Sequence, residues 1–203
     1  IHIKNPTLSR MFEGVRLTSG QASLVPKLQA FLDDDEARIF ILRGYAGTGK
    51  TFLMKGVVDY LSAVNRSVHL MAPTGRAAKR LSELTGRKAS TIHRLLEVDY
   101  TGGVVSFIHN DKNLLKCDVV ILDEMSMVDV KLFQALVTAL RYSCRIIMVG
   151  DADQLPSVGP GNILGEIIRS GCVPTVCLNE IFRQAKRSLI VENAHHLSLI
   201  HIS

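Results

Sequence analysis

The 203-residue chain has no tryptophan, and aromatic side chains make up only 5% of it. A surface built on rows of stacked aromatic rings is therefore not on offer. Long apolar runs are missing too. None approaches the ~20 consecutive residues that cross a bilayer as a helix, so no membrane partner is expected. No basic start, apolar stretch and small-residue cleavage site mark a secretory signal. The four cysteines, Cys117, Cys144, Cys172 and Cys177, form no CxxC pair and no metal-like spacing. They read as small core residues in a reducing cytoplasm. Internal repeats and low-complexity linkers are absent, which favours one domain. Position 1 holds Ile1 rather than methionine, so a piece of a longer protein is expected.

What is present suits a globular fold. Apolar residues are 47% of the chain, enough at this length to bury a real core. The net charge of +5 leans mildly toward a polyanionic partner. Its distribution says more: between Gly75 and Leu95 stand Arg76, Lys79, Arg80, Arg87, Lys88 and Arg94 against the single acid Glu83. By itself such a window is better explained by a solvated helix face.

Short aliphatic segments at 38–43, 67–72, 118–122, 144–149 and 174–178 read as strands covered on both faces, since none alternates apolar with polar. Helical periodicity lies between or after them, at 50–63, 76–84, 128–140, 162–169 and 188–197. This alternation predicts an α/β fold with a mainly parallel sheet flanked by helices. One stretch departs from it. Residues 97–110, "EVDYTGGVVSFIHN", place Gly-Gly between β-prone runs and predict a small inserted hairpin.

The first apolar strand empties into "GYAGTGKT", residues 44–51, which fits G-x-x-x-x-G-K-[ST]. Backbone N–H groups of Gly44, Ala46, Gly47, Thr48 and Gly49 can turn inward as a nest for phosphate oxygens. A helix starting near Lys50 adds unpaired donors and the positive end of its dipole. Lys50 then reaches the β- and γ-phosphates, and the Thr51 hydroxyl serves Mg²⁺. The expected ligand is a nucleoside triphosphate, most simply ATP.

A second apolar strand ends in two acids, "VVILDE", residues 119–124. Adjacent buried carboxylates are costly unless their charge is used. Asp123 suits a metal anchor and Glu124 a general base for water, a pair that favours hydrolysis over phosphoryl transfer. A third strand, "CRIIMVG", leads into "DADQLPSVGPGN", where Gln154 stands to sense the γ-phosphate and the attacking water. Arg183, in "LNEIFRQ", is a candidate to neutralise charge developing on the γ-phosphate. Taken singly, Gln154 reads equally as a turn residue and Arg183 as a surface arginine.

In order, "GYAGTGKT", "APTGRAAKRL", "TIHRLL", "VVILDEMSMVD", "MVGDADQLPSVGPGNIL" and "LNEIFRQ" resemble the RecD-like branch of superfamily-one DNA helicases, from about Leu17 to about His196. The resemblance implies a RecA-like P-loop NTPase fold spanning 1–196. It also implies use of ATP and Mg²⁺ to move 5′ to 3′ along single-stranded DNA, with a second RecA-like domain of the same polypeptide closing on the nucleotide. Carried onto this sequence, it makes Lys50, Glu124, Gln154 and Arg183 catalytic, Asp123 and Thr51 the metal residues, and Gln21 an adenine contact. It also makes Thr74, Gly75, Arg76 and His93 the DNA-facing residues. Gln21 has a competing reading, as the third helical residue of a capping box opened by Thr18; Pro26 is expected to interrupt and kink that helix. His93 alone reads as a helix-surface residue behind a cap at Ser90. Residues 197–203, "LSLIHIS", do not continue the family helix and read as a foreign tail.

With few aromatics, contact with DNA should run mainly through its phosphates, with little sequence preference and steep salt dependence. Two alternatives stay open on the residues. One is a P-loop NTPase of another class, a switch or a small-molecule kinase, which would not respond to DNA. The other is a nucleic-acid-binding module with a vestigial ATP site, though every chemical position of the cradle and acid pair is filled.

Overall fold

The computed structural model of the chain describes residues 5–45, 47–151 and, as backbone, 175–178. Gln154, Arg183, Ala46, Cys172, the helical segments expected at 162–169 and 188–197, and the tail 197–203 lie outside those residues.

After a 3₁₀ turn at Leu8–Phe12, the elements are α1 (Ser19–Asp33), β1 (Ile39–Gly44), α2 (Lys50–Ala63), β2 (Val68–Ala72), α3 (Gly75–Thr85), β3 (Ala89–Thr91) and α4 (Ile92–Leu96). Then come β4 (Val98–Asp99), β5 (Ser106–Phe107), β6 (Val119–Leu122), α5 (Val130–Thr138), β7 (Arg145–Asp151) and β8 (Thr175–Leu178). Six strands form one sheet in the order β3-β2-β6-β7-β1-β8, and every neighbouring pair is parallel. β4 and β5 make the inserted antiparallel hairpin. The expected α/β architecture is therefore the observed one.

Two apolar layers explain why the strands lack polar alternation. Phe40, Leu42, Leu70, Val119, Ile121, Ile147 and Val149 face one core with α1 and α2. Ile41, Met71, Val120, Leu122, Ile146 and Met148 face the other with α4 and α5. Cys117 and Cys144 are buried free thiols within that second layer.

Two local expectations are corrected, and one strand was missed. α1 runs on through Pro26 to Asp33 as one helix. An internal proline costs ~3 kcal/mol, but Leu28, Phe31 and Leu32 beyond it are buried, and each such burial returns about 1.5–3 kcal/mol. α4 is capped by Thr91, whose hydroxyl accepts from Arg94 N at 3.1 Å, rather than by Ser90. The edge strand β3 was not foreseen, because "AST" carries no apolar run and takes its pairing from β2.

Candidate functional site

All six strands of the main sheet end on one rim, and along it gather Lys50, Thr51, Asp123, Glu124, Thr74, Gly75, Arg76 and His93. At the end of β1 the chain turns through Gly47 and Gly49, at φ +80° and +79°, into α2. These left-handed angles are the ones glycine adopts without strain. Gly44 is needed for space: a Cβ there would meet Thr48 Oγ1 at 2.7 Å and Lys50 Cδ at 2.9 Å. α2 has no side-chain cap, so its first N–H groups stay free to face an anion.

Lys50 lies back across the end of β1. Its Nζ donates to Gly44 O at 2.6 Å and to the Asp151 carboxylate. Beneath the loop, Gln21 is fully buried. Its Nε2 donates to Thr48 O at 2.9 Å, and its Oε1 accepts from Thr18 N at 3.0 Å. Thr18 Oγ1 accepts in turn from Gln21 N, completing the capping box. Both ends of the Gln21 carboxamide are thus committed, one to starting α1 and one to bracing the phosphate loop.

The acid pair arrives from β6. One strand, β7, lies between β6 and β1, so the acids stand about 10 Å across the sheet from the cradle. That gap suits a terminal phosphate and a water. Asp123 Oδ1 accepts from Glu124 N at 2.9 Å. Glu124 has φ +53° and ψ +40°, a strained conformation for a non-glycine residue that points to a functional constraint. Burial raises the Asp123 carboxyl above its usual range, and the Glu124 N–H and the Lys50 charge act against that. Glu124 is raised by burial first, then by the charges of Asp123 and Asp151.

Lys50, Thr51, Asp123, Glu124 and Asp151 line a single cleft of about 360 Å³, together with Gly47, Thr48 and Gly49. Tyr45, Phe52, Ala77, Arg80 and Leu84 complete its walls. Thr51 and Asp123 therefore share one cavity. Among the described residues no cluster of three or more acidic, histidine or cysteine side chains could hold a metal. A hydroxyl and one or two carboxylates suit Mg²⁺, which keeps phosphate and water as its other ligands.

Farther along the rim, Thr74 follows β2 and caps α3, accepting from Ala77 N at 3.2 Å. Gly75 and Arg76 are exposed. His93, one strand over on α4, is exposed and packs against Phe107 of the hairpin, ring centroids 6.0 Å apart. These four residues lie beside the ends of β2 and β3, on the same rim as the cleft.

Two charged residues of the cleft escaped sequence reasoning. Arg80, read as part of a basic track, is a wall of the cleft; the spacing of Ala77, Arg80 and Leu84 at three and four residues was its signal. Asp151 ends an apolar strand just as Asp123 does, and the same reasoning applied to "IIMVGD" identifies it.

A family described as AAA domain matches residues 16–201. The chain is 39% identical over 181 residues to the ATP-dependent RecD2 DNA helicase of Deinococcus radiodurans, covering 89% of this chain and 24% of that protein. It is 38% identical over 149 residues to the ATP-dependent DNA helicase dda of Enterobacteria phage T4, covering 71% of this chain and 34% of that one. The chain thus spans about a quarter to a third of these relatives. A solved structure of a DNA replication initiation factor shares the fold, with a TM-score of 0.54 at 15% identity over 95% of this chain and 55% of its own.

Proposed function

The chain belongs to the AAA domain family and resembles the RecD-like helicases, and from that premise we propose that it is the ATP-binding and hydrolysing motor domain of a 5′–3′ DNA helicase acting on single-stranded DNA. One observation carries the reading: the phosphate cradle and the Asp123–Glu124 pair share one cleft, and that cleft shares its rim with Thr74, Gly75, Arg76 and His93. The relatives named as ATP-dependent DNA helicases support it.

In this reading the N–H groups of the loop and of the first turn of α2 bind the phosphates, and Lys50 binds the β- and γ-oxygens. Thr51 and Asp123 would hold Mg²⁺, which when bound neutralises phosphate charge. Glu124, its proton affinity raised by burial, orients the attacking water and takes its proton. Gln154 and Arg183 are proposed to act on the γ-phosphate, and Gln21 to meet adenine only by releasing Thr18 or Thr48. Thr74, Gly75, Arg76 and His93 are proposed to grip the DNA backbone. A second RecA-like domain of the same polypeptide would close on the nucleotide, and the cytoplasm is the proposed compartment. Among the described residues no helix is long and apolar enough to cross a membrane.

The test is ATP turnover by the full polypeptide with and without single-stranded DNA, for wild type and Lys50→Ala. Turnover stimulated by DNA and lost in Lys50→Ala is expected. Turnover indifferent to DNA would favour an NTP-driven switch or a small-molecule kinase instead.

A further inference from the structure

We infer that Asp151 is a built-in stand-in for nucleotide phosphate: it holds Lys50 while the cleft is free of nucleotide, and the incoming triphosphate has to displace it. The inference rests on the proposed role of Lys50 as a phosphate ligand and adds a residue that opposes binding.

The placement follows from the sheet. In the parallel register of β1 and β7, Gly44 faces Asp151, so the carboxylate leaves its strand at the floor of the phosphate loop. Lys50 Nζ has three donors. One goes to Gly44 O at 2.6 Å and another to Asp151 Oδ1. The two side chains are only 12% and 28% exposed, so water screens their attraction less than it would a surface pair. The lysine stem is folded back along the sheet, close enough that a Cβ on Gly44 would touch its Cδ at 2.9 Å.

Charge bookkeeping in the cleft gives the sign of the effect. Asp123, Glu124 and Asp151 face Lys50 and Arg80, three negative groups against two positive ones. A triphosphate brings several more negative charges to the same place. Asp151 therefore opposes nucleotide twice, by occupying the ammonium and by repelling phosphate. Asp123 and Glu124 feel the Lys50 charge through the cleft, but among the described acids only Asp151 takes a hydrogen bond from its ammonium, so the competition for that group falls there. A carboxylate that instead anchored the metal would aid binding, and its loss would weaken affinity.

The experiment measures dissociation constants of ADP and ATP, each with Mg²⁺, for the full polypeptide and for Asp151→Asn, Lys50→Ala and the double variant. Asp151→Ser serves as a second neutral substitution, and circular dichroism checks folding. Asp151→Asn is expected to bind both nucleotides about threefold tighter or more, the scale of a partly screened ion pair. In the Lys50→Ala background the same substitution should gain less, because part of its effect runs through that lysine. Unchanged or weaker binding by both neutral variants would overturn the inference, as would an equal gain with and without Lys50. If Lys50→Ala alone binds nucleotide as well as wild type, the reading of Lys50 itself fails, and that outcome is visible separately.

Discussion

Replacing Gln21 by alanine separates two roles that one carboxamide has been given. Its Nε2 donates to the Thr48 carbonyl, and its Oε1 takes the Thr18 N–H at the start of α1. Gln21 is fully buried and Thr48 only 1% exposed. Deleting the carboxamide strands the Thr48 carbonyl away from water, a loss of about 1–3 kcal/mol. It also removes half of the capping box, about 0.5–1 kcal/mol more. The expected destabilisation is about 2–4 kcal/mol, which moves a urea midpoint by roughly 1 M or more. Nucleotide affinity should fall as well, because the loop loses its brace. Gln21→Glu keeps the acceptor for Thr18 but turns the other donor into a charge against the Thr48 carbonyl, so it should be destabilised too. The assay is urea unfolding of nucleotide-free protein followed by far-UV circular dichroism, with ATP and GTP affinities measured alongside. A Gln21→Ala protein that unfolds at the wild-type midpoint yet no longer tells ATP from GTP would refute the bracing role and make adenine its partner.

Gly56→Ala should destabilise by about 1–3 kcal/mol in the same unfolding assay, since the new Cβ would lie 2.2 Å from the ring of Phe12. Glu124→Gln should keep nucleotide binding and lose turnover by ~100-fold or more, read from steady-state phosphate release. The same substitution has a pH signature without nucleotide. Because burial and the charges of Asp123 and Asp151 raise the Glu124 carboxyl, the folded protein keeps this proton where the unfolded chain has lost it. The stability it contributes is complete below the ordinary glutamate value of about 4.3 and is lost as pH rises through the folded value. Thermal melts should therefore find Glu124→Gln more stable than wild type at neutral pH, with the gap closing below pH ~4. Arg76→Ala should weaken single-stranded DNA binding for all sequences alike and reduce the salt slope by about 0.7, one phosphate's worth.

The elements that were legible are those whose causes are local. α2 follows the observed bounds Lys50–Ala63 because a glycine turn starts it and an apolar stripe sustains it. β1, β2, β6 and β7 were visible because strands buried on both faces must be apolar throughout. The hairpin β4–β5 announced itself through Gly102 and Gly103, both at positive φ. What was hidden depends on partners far along the chain. β3 exists only because β2 offers it an edge. The bond from Gln21 to Thr48 spans 27 residues and that from Lys50 to Asp151 spans 101, so neither leaves a local pattern. Arg80 was counted with its basic neighbours because composition sees the charge of a helix and not the wall it belongs to.

The central claim is that the nucleotide cleft and the DNA rim belong to one rigid sheet, so that each ligand changes the affinity for the other. The direct measurement is the dissociation constant of a fluorescent single-stranded oligonucleotide for the full polypeptide without nucleotide, with ADP, and with a non-hydrolysable ATP analogue. A coupling of about fivefold or more between nucleotide states is predicted, on the usual scale of 1–3 kcal/mol, with the same factor recovered in nucleotide affinity when DNA is added. Identical oligonucleotide affinities in all three states, in a protein that binds both ligands, would contradict it.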